Sequence, residues 1–271
     1  MSTIKNKIKN VISLMKRKEK VPIIVPVANE KLLQNKVILI SGGSGGLGSA
    51  MAKYMAKCGA TVIIGGTNKE KLEQICTKED RISYIVLNLK DISSFERKIE
   101  SIGKDIDILI NCAGINSGEP FFSVSEKTFD DIISVNLKGA YFLSQIVAKK
   151  MIEKGIKGHI LNVSSASALR PASAPYAISK WAVNGMTKGL ADVLIPYGIV
   201  VNAIAPGPTA TEMLNKSVND EISHDASPIG RYATVQEISN LAVFMVSNMG
   251  DLIVGDTYYI SGGSGTISLH R

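Results

Sequence analysis

The sequence predicts an α/β domain built on a doubly wound parallel sheet of about seven strands, with helices on both faces. Three observations predict it. Seven short apolar runs alternate with amphipathic segments from Asn35 onward. Most of those runs are continuously apolar rather than alternating, as parallel strands covered on both faces require. A glycine-rich turn follows the first run and opens the first helical segment, where such sheets take nucleotide phosphates. Neither a composition break nor a short internal repeat divides residues 30–271, which read as one domain.

The elements follow in chain order. Residues 1–29 form a basic extension. Lys5, Lys7, Lys9, Lys16, Arg17, Lys18 and Lys20 stand against Glu19, a net of +6, and the whole chain carries +7, so the body is left with +1. A nearly neutral body has no electrostatic footprint for nucleic acid. Ile4, Ile8, Val11, Ile12 and Met15 recur at helical spacing. Residues 3–18 therefore read as a basic amphipathic helix that docks on a subunit, a partner or a membrane surface, or as a frayed tail, since so short a helix is marginal alone. Pro22 and Pro26 make the rest an extended connector.

The predicted strands are Val37–Ser41, Thr61–Gly65, Ile82–Leu87, Ile108–Asn111, His159–Ser164, Ile199–Ile204 and Thr257–Ser261. Helical segments fall near 46–57, 69–77, 91–102, 124–152, 174–195 and 235–247. No run of about 18 apolar residues predicts a membrane span. The start lacks the apolar core of a secretion signal. Cys58, Cys76 and Cys112 show no metal-ligand spacing, so no metal is expected, and a reducing, cytoplasmic setting is.

Two motifs carry the chemistry. In Ser41-Gly-Gly-Ser-Gly-Gly-Leu-Gly48, Gly42 permits a tight exit from the strand. Gly46 admits backbone N–H groups to a pyrophosphate, and Gly48 lets helix and sheet pack closely. Ser44, Gly45, Gly46, Leu47 and Gly48 then surround a helix N-terminus whose amides and dipole favour phosphate. In Tyr176-Ala-Ile-Ser-Lys180, a phenol and an ammonium share one helix face. A charge ~4 Å away at an effective dielectric near 20 is worth about 4 kcal/mol, or roughly three pKa units. Lys180, helped by the positive charge of an oxidised dinucleotide, is thus expected to bring Tyr176 towards neutral pH, where it serves as a general acid–base. Ser164 and Ser165 end the preceding apolar run, at the carboxyl edge where open sheets bind ligands.

With these motifs, and the segments Asn111-Cys-Ala-Gly114, Ser134-Val-Asn-Leu-Lys-Gly139 and Val201-Asn-Ala-Ile-Ala-Pro-Gly207, the chain resembles the short-chain dehydrogenase/reductase family over about 35–265. Ser41 stands for the family's threonine, Cys112 for an asparagine, and Ser261 for an aspartate. The resemblance implies a single Rossmann-type domain and hydride exchange between a nicotinamide and a secondary alcohol or ketone. It also implies a Ser-Tyr-Lys-Asn set of Ser165, Tyr176, Lys180 and Asn136. The family's serine lies thirteen residues before the tyrosine, whereas Ser165 lies eleven before, so Ser164 and Ser167 stand as alternatives. Cofactor contacts are implied for Asn88, Leu89, Asn111, Ala113, Gly114, Pro206, Gly207, Thr209 and Thr211. Substrate contacts are implied for Ser165, Tyr176 and Asn116, with residues 168–175 and a lid over 209–229 shaping specificity.

Cofactor choice rests on the end of the second strand, where an acidic residue binds the ribose of NAD. Here Gly66 and Thr67 occupy the acidic and arginine positions. Without that carboxylate, and with Thr67, Asn68, and Lys69 or Lys71 as donors, NADP(H) is favoured over NAD(H). Within the family the chain resembles 3-oxoacyl-[acyl-carrier-protein] reductases first, and gluconate- or polyol-type dehydrogenases as the alternative. A nucleotide-sugar epimerase shares the Tyr-Lys spacing, but the chain is short for the added sugar domain. A nucleotide-binding scaffold without turnover is the reading from another class. The resemblance implies a homodimer or homotetramer acting on small molecules, with the long apolar faces of 124–152 and 174–195 as the interface, although these faces equally suit packing on the sheet.

Overall fold

The structure is a computed structural model that describes residues 31–211 and 222–268. The expected helix over 3–18, the connector after it and the 212–221 part of the expected lid lie outside the described residues.

Among the described residues, seven strands form one parallel sheet: β1 Val37–Ser41, β2 Thr61–Gly66, β3 Ile82–Val86, β4 Ile108–Asn111, β5 His159–Val163, β6 Val200–Pro206 and β7 Thr257–Ile260. Their order is β3-β2-β1-β4-β5-β6-β7. All six pairings are parallel. The order reverses between β1 and β4, which opens a crevice at the carboxyl ends of the strands. Every predicted strand is present within two residues of its expected bounds.

The helices are α1 Gly46–Lys57, α2 Lys69–Cys76, α3 Phe95–Glu100, α4 Glu126–Ile133, α5 Ala140–Glu153, α6 Pro175–Leu194 and α7 Val235–Val246. Side chains of β1 point alternately to two apolar layers, which is why its run is unbroken. Ile38 and Ile40 join Met51 and Met55 of α1 and Val243 and Val246 of α7. Leu39 joins Phe95 of α3, Leu143 and Val147 of α5, and Leu194 of α6. Among the described residues, no helix is long and apolar enough to cross a membrane.

Two helical expectations need correction. The segment 91–102 is a 3₁₀ turn, Ile92–Ser94, followed by the short α3. The single helix expected over 124–152 is broken by a π-helical stretch, Ser134–Gly139, between α4 and α5. At Gly139 an added Cβ would lie 2.6 Å from the carbonyl oxygen of Leu89, so the chain must pass that close to the end of the sheet. The wider turn carries Asn136 into the interior, where it is 2% exposed.

Candidate active site

The glycine turn is shaped by close approach. Gly42 has φ +72°, and a Cβ there would lie 2.6 Å from Cα of Ala113. A Cβ on Gly48 would lie 2.3 Å from the carbonyl oxygen of Gly42, so helix and turn touch through backbone alone. Gly45 caps α1 with no side chain folded over it. The first amides of that helix therefore have no side-chain acceptor, and its positive end faces outward. A cradle built this way fits a pyrophosphate.

The cradle opens into a cleft of about 1250 Å³ across the carboxyl edge of the sheet. At one end lie Gly42, Ser44, Gly45, Gly46, Leu47 and Gly48, with Gly66, Thr67, Asn68, Lys71, Asn88 and Leu89. Asn68 caps α2, its Oδ1 accepting the Lys71 N–H at 2.8 Å. Asn88 Oδ1 accepts the Lys90 N–H at 3.1 Å. Lys69 pairs with Glu73 at 3.6 Å, whereas Lys71 lines the cleft. A Cβ on Gly66 would meet Ser44 Oγ at 2.9 Å.

The other end holds Ala113, Gly114, Asn116, Ser165, Tyr176, Lys180, Pro206, Gly207, Thr209 and Thr211. Pro175 starts α6 and places Tyr176 in its first turn and Lys180 one turn on, on the same face. The Ser165 side chain stands close enough to the Tyr176 phenol to favour its ionised form. Ser165 in turn caps the 3₁₀ turn Ala166–Leu169, accepting the Ser167 N–H at 3.1 Å, and its Oγ lies 3.2 Å from Ser167 Oγ. Ser164 is buried and its Oγ donates to the Lys180 carbonyl at 3.1 Å. Of the three serines, Ser165 is the one set against the phenol.

Lys180 is 4% exposed. Its Nζ lies 5.6 Å from the centroid of the Tyr176 ring and donates to the Val163 carbonyl at 2.8 Å. Burial draws its pKa down to about 8. Burial also pushes the Tyr176 phenol above the ordinary tyrosine value, opposed by the Ser165 side chain. In the protein alone desolvation decides the sign, and Lys180, whose ammonium is engaged by the Val163 carbonyl, does not offset it; the expectation rested on Lys180 together with the charge of an oxidised nicotinamide.

Asn136 does not line the cleft but stands behind it. Its Nδ2 donates to the Ile115 carbonyl at 3.0 Å and to Ser179 Oγ at 3.1 Å, and its Oδ1 accepts the Ile115 N–H at 2.8 Å. A Cβ on Gly114 would lie 3.5 Å from Lys180 Nζ and 3.6 Å from Asn136 Oδ1, so these three groups meet. Asn111, expected to touch the cofactor, is turned into the sheet instead. It pairs in register with Ser41 and with Asn162. Its Nδ2 donates to Ser144 Oγ at 2.8 Å and to Asn162 Oδ1 at 2.9 Å, which leaves the side chain no reach into the cleft.

Reasoning from the motifs missed several lining residues. Cys112 is one; burial pushes its thiol up to about 12, so it stays protonated. Ser117, Arg170, His224, Tyr232 and Ser264 are others. The rings of His224 and Tyr232 stack at 4.3 Å, eight positions apart in a polar stretch with no periodicity to announce them. Arg170 and His224 had a signal, since they fall within the segments 168–175 and 209–229 expected to shape specificity.

A family model described as short chain dehydrogenase matches residues 36–222. Gluconate 5-dehydrogenase of Gluconobacter oxydans (strain 621H) is 36% identical over 244 residues, covering 85% of this chain and 94% of that protein. A solved 3-ketoacyl-(acyl-carrier-protein) reductase from Brucella melitensis, complexed with NADH, superposes with a TM-score of 0.78 at 31% identity, covering 87% of this chain and 100% of that one. A solved gluconate 5-dehydrogenase from Burkholderia cenocepacia J2315, in complex with NADP and tartrate, superposes with a TM-score of 0.80 at 30% identity, covering 88% of this chain and 99% of that one.

Proposed function

The chain belongs to the short-chain dehydrogenase family, and from that premise we propose that it is an NADP(H)-linked ketone reductase and secondary-alcohol dehydrogenase with Tyr176 as its proton carrier. Family membership makes it an oxidoreductase of CH–OH and C=O groups that binds NAD or NADP. The bound dinucleotide supplies the hydride for reduction and takes it back in oxidation. In the reductive direction the C=O carbon gains hydride, its oxygen gains the Tyr176 proton, and a CH–OH group results.

Each side chain has a share in that reaction. Ser165 Oγ, which faces the phenol, holds the substrate oxygen beside the Tyr176 proton. Burial keeps that phenol protonated, the state a reductase needs. Lys180 sits over the Tyr176 ring and is poised, with a pKa near about 8, to restore the proton. Asn136 fixes the Ile115 backbone above Lys180, a positioning task. The meeting of Ser165, Tyr176 and Lys180 in one cleft with an open helix N-terminus carries this reading. Preference for NADP is supported by Gly66, which brings no carboxylate to the strand end, and by Lys71 in the lining.

Acyl-carrier thioesters are the first substrate class that the motifs suggest. The reacting end favours the second, sugar acids and polyols, because Asn116, Ser117, Ser167 and Arg170 make it polar rather than an acyl groove. Phe129, Tyr141, Ile178 and Trp181 are exposed on α4, α5 and α6 and support a homodimer or homotetramer. The test is Tyr176→Phe. NADPH-dependent ketone reduction falls by at least about 10²-fold while NADPH binding, read by calorimetry, is retained. Undiminished turnover in that variant defeats the assignment.

A further inference from the structure

The cleft has a charge asymmetry that redox chemistry alone does not require. None of its described lining residues is Asp or Glu, whereas four are Lys or Arg. Three of the four are accounted for. Lys71 stands beside Gly66–Asn68, at the phosphate end. Lys90 pairs with Asp131 at 2.6 Å. Lys180 is buried, donating to Val163. Arg170 remains. Among the described residues its guanidinium forms no ion pair or hydrogen bond, although its backbone is held on both sides. Its N–H donates to the Ser167 carbonyl at 3.3 Å, and its carbonyl accepts the Trp181 indole N–H at 2.9 Å. Ser167 belongs to the turn that Ser165 caps, and Trp181 follows Lys180 on α6. Both anchors tie Arg170 to the reacting end.

A planar fork of N–H donors in a cleft whose described lining holds no acid matches a carboxylate or a phosphate ester, and attracts either before contact. We infer that Arg170 is the specificity determinant of this enzyme and that its substrate is an anionic polyol or keto acid whose carboxylate or phosphate Arg170 holds while Ser165 and Tyr176 engage the reacting oxygen. The inference rests on the redox reading above and adds to it the charge of the substrate.

Matched probes test it. Sorbitol, gluconate and sorbitol 6-phosphate share a six-carbon polyol chain and end in a neutral, a carboxylate and a phosphate group. Ethyl acetoacetate and acetoacetate make the corresponding pair for reduction. Wild-type kcat/KM is expected to favour an anionic member by about 10-fold or more. Arg170→Gln is expected to remove that preference through KM, with kcat and neutral probes little changed, and Arg170→Lys to restore part of it. A charged hydrogen bond to the substrate corresponds to about 10–100-fold. A phosphate-only or carboxylate-only preference supports the inference and names the group. Equal use of neutral and anionic members, or a preference that survives Arg170→Gln, overturns it. Calorimetry of the same polyols on the NADPH-loaded protein reads the anion site without turnover. Anion-selective binding with no turnover defeats the redox reading alone, and binding without charge preference defeats the anion site.

Discussion

Replacing Lys180 with methionine is expected to make the protein more stable and inactive at once. Lys180 is buried, and burial lowers its pKa from 10.5 to about 8. At about 1.4 kcal/mol per tenfold change, holding the charged form in the fold at pH 7 costs about 3 kcal/mol. Losing the hydrogen bond to the Val163 carbonyl gives back about 1 kcal/mol, so Lys180→Met gains about 2 kcal/mol at pH 7. For a domain of this size that raises Tm by about 4–8 °C. The gain depends on pH in a definite direction. Between about 8 and 10.5 the unfolded chain binds a proton that the folded chain does not, so wild-type stability rises with pH across that window. The penalty falls below about 1 kcal/mol at pH 10, and the variant's advantage disappears there. Thermal melts of both proteins at pH 7 and pH 10, with NADPH-linked rates at pH 7, provide the assay. A variant that melts at or below wild type at pH 7, or whose gain is the same at both pH values, refutes the burial argument.

Three further outcomes are expected. Gly66→Asp places a carboxylate beside Ser44, and titrations with NADPH and NADH should show relative affinity moving towards NADH by at least about 10-fold; an unchanged ratio speaks against Gly66 as the selector. Gly48→Ala drives a Cβ into the Gly42 carbonyl, at a cost of about 1–3 kcal/mol by overpacking, visible as a lower Tm and weaker NADPH binding. Thr234→Ala removes the side chain that accepts the Glu237 N–H and opens the capping box of α7; denaturant melts should lose about 1 kcal/mol with activity at saturating substrate retained.

The strands were legible because burial on both faces leaves an unbroken apolar run, as Leu39 between Ile38 and Ile40 illustrates. The phosphate cradle was legible because only glycine tolerates backbone approaches like that of Gly48 to Gly42. The π stretch at Ser134–Gly139 was not, because periodicity drawn at 3.6 residues per turn does not register one extra residue in a coil. Asn111 was misread for a related reason. The family motif fixes its place at a strand end, but the pleat decides which way its amide points, and here that is towards Ser144 and Asn162. The sign of the Tyr176 perturbation in the protein alone was not legible, because pairwise attraction can be read from spacing, whereas desolvation depends on the assembled surroundings.

The amide of Asn111 has a mechanical consequence. Through it β4 is latched to β5, and Asn162 passes the latch to Thr187 on α6 at 2.9 Å, while Ser144 returns it to α5. The backbone leaving β4 carries Cys112 to Gly114, and that leaving β5 carries Ser164 and Ser165. One buried crosspiece therefore sets the spacing between the two jaws on which hydride and proton must meet. Loosening Thr187 or Ser144, far from any ligand, would detune that alignment while the fold around it stays intact.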